Sequence, residues 1–161
     1  MSWTRFMDMH SGGGLKEENY ALIYIEAPID EARVIFYNRF GHNPDRVTCT
    51  CCGEDYSIDE HQTIEAATAY DRGCPWVEDE WGWIFKDKPA DYRDGFYLEP
   101  GQPVPAGMKL SIRGGEAVTV EEWRKSGKGS IDGGVLFIDA ADIKPEERVG
   151  EVPEQGYVWR D

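Results

Sequence analysis

The run Tyr20-Ala21-Leu22-Ile23-Tyr24-Ile25 lies between a Gly-rich stretch, Ser11-Gly12-Gly13-Gly14, and Pro28. It is far shorter than the roughly 18 apolar residues that mark a membrane span. Its place after a loosely alternating segment, residues 3–10, predicts the second arm of a β-hairpin with a Gly-rich tip. Beyond Pro28, Ala32, Ile35, Phe36 and Phe40 recur at helical spacing, Asp30 is placed to cap, and Gly41 is placed to stop the helix. Val47-Thr48-Cys49-Thr50 reads as a short strand, and Ser57-x-x-Glu60 as a capping box opening a second helix toward Gly73.

The second half of the chain changes character. Residues 76–85 are rich in Trp and acids, and residues 89–107 are punctuated by Pro89, Pro100, Pro103 and Pro105. The latter stretch reads as a connection rather than a periodic element. Residues 109–113 are a candidate strand, Thr119-x-x-Glu122 is a further capping box, and Val135-Leu136-Phe137-Ile138 is the clearest strand of this half. Tyr157-Val158-Trp159 is expected to pack back on the body. The expected fold is α+β: an N-terminal β-hairpin and two helices around a Cys-rich knuckle, followed by a small mixed α/β lobe. The 161 residues suit a single domain, 1–161, with possible lobes at 1–75 and 76–161.

Cys49-x-x-Cys52-Gly53 carries the most chemical information. Two thiolates at this spacing converge on one metal across a tight turn, and Gly after the second accepts the left-handed backbone of a knuckle. A closed structural zinc site needs four ligands. Cys74, just past the Gly73 stop, is the expected third ligand; His10 is the expected fourth, with His61 as the alternative. The competing reading is that Cys49, Cys51 and Cys52 are packed, reduced thiols. Near neighbours such as these make a poor disulfide framework. A redox pair is disfavoured because Gly53-Glu54-Asp55 intervenes before any helix, and two acids beside thiolates raise their pKa.

Catalytic signatures are incomplete. The zinc-deaminase order, His-x-Glu ahead of Pro-Cys-x-x-Cys, is not met, and His-Glu-x-x-His does not occur. Ser11-Gly12-Gly13-Gly14-Leu15-Lys16 is followed by an expected strand where a phosphate-binding loop needs a helix, and Glu17-Glu18 would repel phosphate.

The net charge of −14 is spread evenly: residues 1–73 hold 6 basic and 13 acidic side chains, residues 74–161 hold 11 and 18. Such a surface favours solubility and disfavours electrostatic binding to nucleic acid or an anionic membrane. Any nucleic-acid role must run through a local patch such as Arg124-Lys125-Lys128, or through mimicry of phosphate. Trp76, Glu78, Asp79, Glu80, Trp81 and Trp83 are the candidate partner-binding residues, since Trp dominates interface energetics. The N-terminus lacks the apolar core of a signal peptide, so the chain is expected to stay in the compartment where it is made.

Residues 36–58, FYNRFGHNPDRVTCTCCGEDYSI, and residues 5–14, RFMDMHSGGG, resemble segments of a group of small uncharacterised bacteriophage proteins. The resemblance implies a viral origin and a location in the cytoplasm of an infected bacterium; it transfers no catalytic residue. The expected function is that of a non-enzymatic accessory protein binding a host protein or protein complex, in host takeover or as an antagonist of host defence. The alternatives are a metal-assisted hydrolase or nuclease using Asp8, His10, His42 and His61, and a structural or assembly component of the virion.

Overall fold

The computed structural model describes residues 2–8, 20–49, 56–74, 76–79, 96–98, 103, 108–111, 118–126 and 134–159. Strand β1 (Trp3–Asp8) and strand β2 (Tyr20–Ile25) form the expected antiparallel pair, with Thr4 opposite Ile25 and Phe6 opposite Ile23. Helix α1 (Ile29–Phe40) follows, buries Ala32, Ile35 and Phe36, and ends on Gly41, whose φ of 79° suits the left-handed cap that glycine adopts without strain. Its N-cap is Pro28 rather than Asp30; Asp30 and Glu31 lie in the first turn, where their charge complements the helix dipole.

Strand β3 (Val47–Cys49) lies where the sequence places it, but the next element does not. Residues Tyr56–His61 form strand β4, paired along its whole length with β1, instead of opening a helix at Ser57. The reason is a period of two: Tyr56 and Ile58 pack with Phe6 on one face of the sheet, while Asp59 turns to the other. Pairing along six residues outweighs a local cap. Helix α2 (Ile64–Ala69) is correspondingly short and is capped by Thr63, whose hydroxyl accepts from Ala66 N at 3.2 Å.

Strands β5 (Trp76–Asp79), β6 (Phe96–Tyr97) and β7 (Met108–Ser111) make an antiparallel sheet in the order β6-β5-β7. Helix α3 (Val120–Ser126) opens on the expected capping box: Thr119 N donates to Glu122 Oε2 at 3.2 Å and Glu122 N to Thr119 Oγ1 at 3.1 Å. Strand β8 (Gly134–Ile138) then runs parallel to β2, giving a mixed sheet of order β4-β1-β2-β8. One of its two edge strands, β8, thus comes from the second half of the chain. Strand β9 (Tyr157–Trp159) pairs in parallel with β3.

The four-stranded sheet is covered on both faces, which explains why β2 reads as an unbroken apolar run. On one face Ile23, Ile25 and Phe6 meet Ala32, Ile35 and Phe36 of α1, with Phe6 and Phe36 stacked at 4.8 Å. On the other, Leu22 and Tyr24 meet Trp3, Ala67 of α2 and Trp123 of α3. The fold is α+β. Among the described residues no helix is long and apolar enough to cross a membrane.

Candidate functional site

The second face of the sheet holds the most concentrated buried polar cluster among the described residues. Arg5 is in phase with Trp3 and Met7 along β1, so its side chain enters the same layer as theirs. Sheet register places Arg5 directly opposite Tyr24 on β2 and directly opposite Asp59 on β4. The turn after α2 brings Asp71 over this row. Arg5 Nε and Nη2 donate to Asp71 Oδ2 and Oδ1 at 2.6 and 2.8 Å, and Arg5 Nη1 donates to Asp59 Oδ2 at 3.1 Å. The Tyr24 hydroxyl donates to Asp71 Oδ2. The Tyr70 ring stacks against the guanidinium, 5.8 Å from the ring centre.

Arg5 and Asp71 are 6% and 4% exposed, so the cluster stands or falls as a unit. Burial alone would pull the Arg5 guanidinium down, but the hydrogen bonds and charge of Asp71 outweigh it and hold Arg5 above its ordinary value. Burial, reinforced by the Asp71 carboxylate, pushes the Tyr24 phenol well up. Arg5 is therefore a fixed cation and Tyr24 a fixed neutral donor near neutral pH. Both Asp71 oxygens accept from these groups, so the arrangement suits a polar pin between sheet and helix better than proton transfer.

The neighbouring Arg72 extends the pin toward α3. It is 2% exposed, and its Nε, Nη1 and Nη2 donate to Thr68 Oγ1, Val118 O and Glu65 O at 2.7, 2.7 and 2.8 Å. Gly73, with φ of 76°, then turns the chain so that Cys74 N reaches Ala69 O at 3.0 Å and Cys74 is fully buried.

Of the expected zinc ligands, Cys74 thus sits in the interior at the end of the α2 turn, and His61 closes β4 opposite Trp3. The backbone of Cys49 ends β3 opposite Trp159. The Cys49 side chain, Cys51, Cys52 and His10 lie outside the described residues. Thiolate and imidazole are suitable zinc donors, but among the described residues no group of three or more His, Cys, Asp and Glu side chains is placed to hold a metal. The ligand set therefore remains a reading of sequence spacing.

Of the expected partner-binding residues, Trp76, Glu78 and Asp79 contribute backbone to β5, while their side chains, together with Glu80, Trp81 and Trp83, lie outside the described residues. Of the residues considered for hydrolysis, His10 lies outside as well. Asp8 ends β1 opposite Tyr56, and His42 precedes the 3-10 turn Pro44–Arg46, its imidazole lowered by burial. In the basic patch, Arg124 pairs with Asp139 and stacks on Phe137 at 4.7 Å, and Lys125 pairs with Glu121 at 3.2 Å; Lys128 lies outside the described residues.

The Arg5 cluster was not singled out from sequence. Its signal is an arginine in phase with Trp3 and Met7 on a strand that alternates; its partner Asp71 lies beyond six further elements, β2 through α2, and has no comparable signature. In comparisons with family models, curated proteins and solved structures, nothing matches this chain.

Proposed function

We propose that the chain is a non-enzymatic bacteriophage accessory protein that acts in the cytoplasm of the infected host by binding a basic surface of a host protein or protein complex. In that role it antagonises host defence or serves host takeover. The observation that carries the reading is how the cations are used. Against a net charge of −14, Arg33 is engaged by Asp45, Arg39 by Glu147, Arg124 by Asp139, Lys125 by Glu121, Arg148 by Glu31 and Arg5 by Asp71. With these cations neutralised by the chain's own acids, the remaining carboxylates set the sign of the exterior. An anionic exterior complements a basic protein and repels phosphate.

The resemblance of residues 5–14 and 36–58 supports the viral setting. A structural zinc, held by Cys49, Cys52, Cys74 and either His10 or His61, belongs to the same proposal and rests on ligand type and spacing. Its task would be to staple the segment between β3 and β4 to the end of α2. The partner-binding surface is assigned to Trp76, Glu78, Asp79, Glu80, Trp81 and Trp83.

The test is a reciprocal pull-down in host lysate at two salt concentrations. A single host protein, recovered with either partner as bait and released by salt, is the expected result. Recovery of nothing specific, or of nucleic acid alone, overturns the proposal.

A further inference from the structure

Between Asp139 and Gly156 the chain runs along the outside of α1 with Ile143 as its only buried residue. Ile143 joins the core beneath α1. The other tethers are polar and come largely from α1 and the turn after it, with Arg124 of α3 pairing with Asp139 at the start. Asn38 Nδ2 donates to Glu147 O and Val149 O at 2.8 and 3.2 Å. Arg39 Nη2 donates to Asp142 O at 2.7 Å, and its Nε pairs with Glu147 Oε1 at 2.9 Å. Arg148 pairs with Glu31, and Asn43 Nδ2 donates to Pro153 O at 2.9 Å. Glu26 Oε2 accepts from Ala140 N at 2.7 Å. The segment ends in β9, whose three residues pair with β3 in the register Val47 with Tyr157, Thr48 with Val158 and Cys49 with Trp159.

We propose that residues 139–159 form a detachable strap, latched to α1 by side-chain hydrogen bonds and ion pairs, whose release unpairs β3 and uncovers the strand that carries Cys49. The physical basis is a contrast in how the parts are held. The four-stranded sheet is packed on both faces by apolar side chains. As far as Gly156 the strap is held, apart from Ile143, by exposed hydrogen bonds and half-buried ion pairs, which are individually weak and screened by salt. Segments with few buried apolar contacts open locally below the free energy of global unfolding. A parallel pairing of three residues adds little by itself. β9 pairs with β3 along all three of its residues, so release of the strap breaks that pairing. The device concerns the backbone of β3 and stands whether or not the cysteines hold a metal.

Native-state hydrogen exchange on the full chain tests it. The double variant Arg39→Met, Arg148→Met should speed exchange at residues 47–49 and 157–159 by at least about tenfold, with residues 22–25 unchanged. Raising sodium chloride to about 1 M should move the same amides in the wild-type protein, which keeps the test independent of how the variant folds. Exchange of β3, β9 and β2 as one unit in salt would overturn the strap. Unchanged exchange at residues 47–49 in both arms would overturn it as well.

Discussion

Arg5 and Asp71, 66 positions apart in the chain, meet in a two-point ion pair inside the layer between the four-stranded sheet and α2. The pair fixes the turn that leads to Cys74, and it turns an inward-facing arginine on β1 from a liability into a tether. Removing one member leaves the other charged and buried, which costs about 3–5 kcal/mol in comparable sites. Asp71→Asn is therefore expected to be strongly destabilising in urea denaturation. The apolar double variant Arg5→Met, Asp71→Leu should cost less than Asp71→Asn alone, because no charge is stranded. A double-variant loss equal to the sum of the single losses would show that the two residues act independently.

Two capping-box sequences in this chain have different fates, and they give a paired test. Thr119 caps α3, so Thr119→Ala is expected to cost about 1 kcal/mol. Ser57 is the second residue of β4, opposite Met7, where no helix end depends on it. Ser57→Ala should stay within about 0.5 kcal/mol. Equal losses at the two positions in thermal or chemical denaturation would contradict the strand assignment of β4.

That contrast also marks how far the sequence can be read. The hairpin, α1 with its Gly41 stop, the α3 capping box and β8 all follow from local pattern, because each carries its own periodicity or terminator. The strand β4 does not, since Ser57 and Glu60 satisfy a local rule while Tyr56 and Ile58 answer to Phe6 and Phe36 far away in sequence. The Arg5 pin is invisible for the same reason: its partners lie on β2, β4 and the α2 turn, and only the register brings them together. The cysteine spacing is legible as chemistry, yet most of its residues lie outside the described part of the chain.

Trp123 is 1% exposed, and among the described residues its indole N–H has no hydrogen-bond partner. An unmade hydrogen bond of a buried donor is costly, whereas the ring itself fills the layer between α3, Trp3 and Tyr24. Trp123→Phe removes the donor and keeps most of the apolar contact, so its expected loss is below about 2 kcal/mol. Trp123→Ala empties the site and should cost about 3–5 kcal/mol. Similar losses for the two variants would mean that the indole nitrogen is satisfied.

The proposed zinc staple has a direct chemical readout. Protein purified without chelator should hold about one equivalent of zinc, and Cys49→Ser should hold less than about half of that. Because metal binding and folding are linked, chelation should also lower the melting temperature of the wild-type protein and leave that of the variant unchanged. Metal-free wild-type protein with an unaltered melting curve would remove zinc and leave the cysteines as packed thiols.

Acid should loosen the strap through Glu147. Its carboxylate accepts from Lys144 N at 2.7 Å and pairs with Arg39 at 2.9 Å; the backbone hydrogen bond and then the Arg39 charge hold it below the ordinary carboxylate value. A carboxylate whose folded value is depressed adds stability above its unfolded value, near about 4.3, and loses it as pH falls through the folded value. Lowering the pH through and below that range should therefore raise hydrogen exchange at residues 157–159 before it raises exchange at residues 22–25. In Glu147→Gln the acid-dependent part should be reduced, and exchange at residues 157–159 should already be faster at neutral pH. An acid response of the same size in wild type and Glu147→Gln would place the sensitivity at another group.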